Sequence, residues 1–309
     1  MDDRSQPATS PSGVKRTERE AQLPLWPAEW SAPVSEPTES LTDSKPAQPP
    51  MAWEPAPQPV KPPAAQIDPP WKLSDLGLFI VFAMLTFLFA NAVAAGVFLL
   101  LRRSLGWNLR IDQMMTLTPF LVLMQVVWES LWFMFIYHTV TVKYRRPFWQ
   151  GIRWLPTPPG PKTFILAGII LAVVAQGLFS LFPSEKNLPI ERLFSSTASG
   201  YLLALFGICV APFMEELVFR GFFYPVFERM WGFVAAVLVT ALLFALIHAP
   251  QLSGGLTEMA AIYCVGVALS YARGKTGSLV PSYLMHLGYN ATLFVSLYLT
   301  TDQFRTLQG

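Results

Sequence analysis

Charge is scarce in this chain of 309 residues. Only 14% of them are Asp, Glu, Lys or Arg, against about 25% in an ordinary soluble domain. Cysteine is scarcer: Cys209 and Cys264 each stand alone in an apolar run. That excludes a disulfide framework and a cysteine metal knuckle, and both read as buried small apolar residues. Histidine occurs three times, at 138, 248 and 286, with no His-Glu-x-x-His pair. No basic patch has the length or aromatic interleaving that argues for nucleic acid as a partner. The amino terminus lacks a basic start followed by an apolar core, which excludes a signal peptide. Neither an internal repeat nor a heptad is present.

Apolar residues make up 52% of the chain and the mean hydropathy is +0.40, which places it among membrane proteins. The expected fold is an all-α polytopic bundle of seven transmembrane helices behind a disordered amino-terminal tail. Residues 1–70 hold sixteen of the 28 prolines. Such a segment buries too little apolar surface to offset its ordering entropy, so it reads as a solvated tether. Residues 71–309 form the membrane domain. Its spans are expected near 76–101, 115–140, 163–182, 201–214, 231–248, 257–272 and 279–299, with an eighth if Pro212 divides the fourth. Asn91 in the first span reads as a helix–helix hydrogen-bonding group, and Glu129 in the second as a supporting acid. His138 falls at the interface. Basic loops, above all Lys143-Tyr-Arg145-Arg146, put the amino-terminal tail on the cytoplasmic side by the positive-inside rule, although Arg102, Arg103 and Arg110 count against it.

One stretch breaks the apolar pattern: Pro212-Phe-Met-Glu215-Glu216-Leu-Val-Phe-Arg220-Gly221. A charge at the centre of a membrane helix costs about 2.5–3.5 kcal/mol on insertion scales. Three of them need a reason. Consecutive helical residues point about 100° apart, so the two glutamates diverge. Glu216 and Arg220 are four apart and can pair, which leaves Glu215 turned elsewhere. Taken alone, the stretch is equally well read as a buried pair that fixes helix register. Two later helices tip the balance. One ends Phe244-Ala-Leu-Ile-His248, and the last carries His286 and Asn290 on one face. Each of these groups needs a buried partner, and the nearest partners are one another. A shared polar cavity within the membrane is the inference, in residues 199–300.

A carboxylate with a histidine can hold and deprotonate a water, while an amide and an imidazole can donate to a developing oxyanion. That set suits amide hydrolysis. No serine or cysteine stands in a nucleophile setting, so attack by water is preferred. A Zn²⁺ site from His248, His286 and one glutamate, Glu216, has acceptable ligand types. Spacing does not decide between metal-activated water and water held by Glu215 and His248.

The Glu-Glu-x-x-x-Arg, Phe-x-x-x-His and His-x-x-x-Asn stretches, in this order on three helices, resemble the CPBP intramembrane proteases. That family includes the type II CAAX prenyl endopeptidases and bacterial relatives linked to bacteriocin processing and immunity. The resemblance implies Glu215 as the water-activating base with His248, Glu216 and Arg220 in support, and His286 with Asn290 at the oxyanion. It implies membrane lipid and a membrane-anchored or lipidated, CAAX-like peptide as partners. The competing reading is a non-proteolytic immunity or scaffold protein of the same fold.

Overall fold

The computed structural model describes residues 69–106, 110, 113, 117–182, 193–194, 196–252 and 255–305. The tail expected over 1–70 lies outside these, apart from its last two residues. Among the described residues the secondary structure is entirely helical.

Helix α1 spans Leu73–Leu105. Its 33 residues rise about 50 Å, more than a hydrocarbon core of about 30 Å requires. Helix α2, Thr118–His138, continues through a wider π turn, Thr139–Lys143. Helix α3 is Pro161–Phe179. From Thr197 to Leu252 the chain is one 56-residue run. Within it, α4 (Thr197–Leu205) leads through a π segment, Phe206–Val210, into α5 (Ala211–Glu216). A second π segment, Leu217–Phe223, joins α5 to α6 (Tyr224–His248). Helices α7 (Leu256–Thr276) and α8 (Leu279–Thr300) close the fold. The α7–α8 junction is a tight turn at Gly277, which takes φ +65°.

Four of these helical stretches are long and apolar enough to cross a membrane: Leu73–Leu105, Thr118–Lys143, Pro161–Phe179 and the run Thr197–Leu252. The expected fourth and fifth spans are thus parts of one run. Pro212 does not break it. It sits at the start of α5, where its missing N–H is tolerated, and the preceding turn widens to π instead. The break comes later, at Gly232, whose φ of 78° and ψ of 174° leave the helical course.

Two further expectations are corrected. Asn91 donates to Phe87 O of its own helix at 2.8 Å and does not reach across to another. Cys209 and Cys264 are exposed, because both sit on outward faces. Many of the outward-facing side chains are apolar, with Met84, Leu88, Leu181, Val234 and Leu299 among the most exposed. That is the surface expected of helices in lipid.

The aromatic core gathers around the end of α5 and the π segment that follows it. Phe79 of α1 meets Trp132 and Phe135 of α2, and Phe222 and Phe223 of the π segment, with ring centroids 5.6–5.8 Å apart. Such edge-on pairs contribute about 0.5–1.5 kcal/mol each beyond burial. Just before α1, fully buried Trp71 stacks on Phe222 and donates its indole N–H to the Phe222 carbonyl at 2.9 Å. Arg229 of α6 donates to the carbonyls of Pro69 and Trp71. At the opposite flank α3 lies against α8. A Cβ on Gly168 would strike the Met285 carbonyl, and one on Gly288 the Ile165 carbonyl. These two glycines let the backbones touch, in the small-residue packing that membrane helices use, and they fix the height of His286 between them.

Candidate active site

The π segment after α5 carries Arg220, fully buried. Its Nη1 donates to Glu216 Oε1 at 2.9 Å, one helical turn back. Its other donors reach α7: Nε to Ser270 Oγ at 3.1 Å and Nη2 to the Gly266 carbonyl at 3.0 Å. The guanidinium carbon lies 4.4 Å from the Phe244 ring centre on α6, within cation–π range. Arg273 of α7 in turn donates from Nε to the Arg220 carbonyl at 3.1 Å. A guanidinium satisfied on all sides in this way cannot leave to serve a ligand.

Glu216 is held through one oxygen, Oε1, while its Oε2 is buried without a hydrogen-bond partner among the described residues. Its Oε1 also accepts from His286 Nδ1 at 3.0 Å, so α5, the π segment and α8 meet at one carboxylate oxygen. A carboxylate only accepts; the Nδ1 proton is therefore on His286, and Nε2 is its free face.

Glu215 points the other way, into a cavity of about 450 Å³. Its Oε2 lies 3.5 Å from His286 Nε2, and its Oε1 lies 3.7 Å from His248 Nε2. These separations are too long for direct hydrogen bonds, so neither imidazole ties Glu215 down. His248 is oriented from behind: its Nδ1 donates to the Phe244 carbonyl at 2.7 Å, which leaves Nε2 toward Glu215. Asn290, one turn beyond His286, lines the same cavity. One of its amide protons goes to the Gly207 carbonyl in the first π segment, at 2.7 Å. Both π segments thus contribute directly, the first through Gly207 and the second through Arg220, in keeping with the tendency of π turns to fall at functional sites.

All six residues singled out by sequence, Glu215, Glu216, Arg220, His248, His286 and Asn290, therefore fall in one region. Glu129 of α2 lines the same cavity. His138 is exposed at the end of α2. Phe244, Gly266, Ser270 and Arg273 were missed as site residues. Their signal was present: Gly266, Ser270 and Arg273 recur at helical spacing, a small and polar stripe on a helix that otherwise offered none.

Glu216, His248 and His286, the expected zinc set, each keep one donor atom that no hydrogen bond among the described residues takes up: Glu216 Oε2 and Nε2 of both histidines. Glu216 Oε1 already accepts from a guanidinium and an imidazole. His286 Nδ1 and His248 Nδ1 donate to protein acceptors, the posture in which an imidazole presents Nε2 to a ligand. Among the described residues no three His, Cys, Asp or Glu side chains gather as a metal site.

Residues 197–292 match the family model described as Rce1-like, type II CAAX prenyl endopeptidase. Three proteins are similar to this chain over longer stretches. UPF0177 protein YbdI of Lactococcus lactis subsp. lactis (strain IL1403) is 27% identical over 151 residues, 47% of this chain and 76% of that protein. UPF0177 protein YaiF of the same organism is 26% identical over 220 residues, 70% of this chain and 96% of that protein. An uncharacterized 24.3 kDa protein of Escherichia coli is 31% identical over 141 residues, 44% of this chain and 60% of that protein. No solved structure matches the chain.

Proposed function

We propose, from a chain whose residues 197–292 form an Rce1-like domain, that the protein is an intramembrane endopeptidase in which Glu215 and His248 activate a water. The observation that carries this reading is the division of labour between adjacent carboxylates. Glu216 is fixed by Arg220 and His286, while Glu215 faces the cavity with two imidazole nitrogens 3.5–3.7 Å away.

In the proposed reaction a water lies on the cavity side of Glu215 and His248 Nε2, within reach of both. Glu215 takes a proton from it as the water oxygen bonds to the substrate carbonyl carbon. His286 and Asn290 face the oxygen that becomes negative. For His286 to donate from Nε2 while Nδ1 donates to Glu216, both ring nitrogens must carry protons, and Glu216 is the counter-charge beside them. The C–N bond then breaks, and the proton held by Glu215 passes to the leaving amine. No step is routed through a metal.

The proposed substrate is a membrane-anchored or lipidated, CAAX-like peptide. Most of the cavity lining is apolar, including Leu121, Leu203, Leu293 and Phe294, which suits an occupant that arrives from lipid. We read α7 and α8, at 21 and 22 residues, as further spans, and the run Thr197–Leu252 as two, divided at Gly232. With α1, α2 and α3 this makes seven spans, with the amino terminus on the cytoplasmic side.

The test is cleavage of prenylated and unprenylated carboxy-terminal peptides by purified protein in detergent, with and without a chelator. Glu215→Ala is expected to abolish cleavage while the protein still inserts in membranes. Undiminished cutting by that variant would sink the mechanism. The chelator arm measures any metal requirement separately.

A further inference from the structure

The short stretch 69–71, directly ahead of α1, ties together two elements that come much later in the chain. Trp71 is fully buried. Its indole N–H donates to the Phe222 carbonyl at 2.9 Å, and its ring stacks on the Phe222 ring with centroids 5.5 Å apart. From the other side Arg229 donates to the carbonyl of Pro69 and, at 2.6 Å, to that of Trp71. Phe222 belongs to the second π segment, Leu217–Phe223, and Arg229 to the start of α6. The stretch is thus a strap across the boundary at Tyr224, where the helix passes from π to α.

That boundary bears on the site. A π turn holds one residue more than an α turn and is rare. Relaxing Leu217–Phe223 to an α course would shift its register by one residue, and one residue is about 100° of rotation. Arg220 sits in this segment and would swing with it. Its Nη1 would then leave Glu216 Oε1, and its other donors would leave Ser270 and Gly266. Glu216 is also the acceptor that orients His286, and it adjoins Glu215 in the chain. Trp71 grips the segment from outside the run Thr197–Leu252, two residues beyond Arg220.

We infer that Trp71 is a positioning residue for the proposed reaction. Its hydrogen bond to Phe222, with Arg229 clamping the strap, holds the π register that keeps Arg220 on Glu216 and Glu215 turned to the cavity. The inference rests on the endopeptidase reading and deepens it. The alternative is a tryptophan that only fills the core beside Phe222. Such a filler would set the stability of the protein and leave turnover per folded molecule unchanged.

The experiment uses full-length protein in detergent, well below its melting temperature, and a peptide that the wild-type chain cleaves. Trp71 is replaced by 3-benzothienylalanine, which keeps the ring shape and carries sulfur in place of the N–H. Since misplacing a site by about 1 Å can cost about a hundredfold, kcat is expected to fall about tenfold, with KM changed by less than about twofold. Arg229→Ala is expected to lower kcat in the same way. The two changes together should cost no more than the larger one alone, because both act through one strap. Hydrogen exchange, which needs no substrate, should quicken for the amides of Leu217–Phe223 in either variant and stay unchanged in α3 and α8. An unchanged kcat in the isostere, or a loss that only tracks the folded fraction, overturns the inference and leaves the endopeptidase reading standing. Unchanged exchange over Leu217–Phe223 overturns it whatever the activity. If the wild-type chain cleaves no peptide, the endopeptidase reading fails first, and this inference falls with it.

Discussion

Arg220 is the residue on which the site's rigidity depends. It touches α5, α6 and α7 through Glu216, the Phe244 ring, and Ser270 with the Gly266 carbonyl. Removing one member of a buried pair strands the other, at a cost of about 3–5 kcal/mol. Arg220→Leu is therefore expected to lower the thermal stability of the detergent-solubilised protein by about that much. Arg220→Lys should recover little, because an ammonium cannot reproduce the planar fork that reaches Ser270 and Gly266 together. A lysine variant as stable as the wild type would show that only the charge matters. The Glu216–Arg220 pair was legible in the sequence because both ends lie on one helix, where four-residue spacing alone brings them together. Ser270 and Gly266 were not, since their role depends on how α7 packs. Asn91 departs from expectation for the opposite reason: its partner is local, the Phe87 carbonyl of its own preceding turn.

Among the elements, the run Thr197–Leu252 departs furthest from a simple helix. Its two π segments shift the angular position of everything after them, so a wheel drawn at 3.6 residues per turn misplaces the side chains beyond Val210. Hydropathy located the first three spans, which coincide with long apolar helices, because length and apolarity decide them. It could not locate the π turns, which leave no mark in composition. The break at Gly232 belongs to the same class. Its φ of 78° with ψ of 174° is a conformation open to glycine and hardly to other residues. An added Cβ would meet nothing within 4 Å, so any penalty for Gly232→Ala is conformational and not steric against neighbours. The expected loss is about 1–3 kcal/mol of stability, read as a lower melting temperature, with the Glu215 cavity left intact. A neutral result would mean that the chain readily takes another path between the two arms.

For the whole molecule, the question is how many helices lie in lipid. The two cysteines answer it, because both are exposed on the protein's outer surface. Cys209 lies in the run Thr197–Leu252, and Cys264 in the middle of α7. A membrane-impermeant maleimide should label neither in intact vesicles if α7 spans the bilayer, and both after solubilisation in denaturing detergent. Labelling of Cys264 alone in intact vesicles would remove α7 from the spans and with it the count of seven.

The carboxylate shared by Arg220 and His286 also bears on how the protein is made. Arg220 follows Glu216 by four residues, so the acid meets its counter-charge within the same emerging turn and can enter the bilayer already neutralised. His286 lies 70 residues further along. At typical synthesis rates of about 5–20 residues per second it follows about 4–14 s later. The site is thus born in two stages: an arginine escorts Glu216 into the membrane during translation, and α8 completes the pocket only later, when His286 has been made.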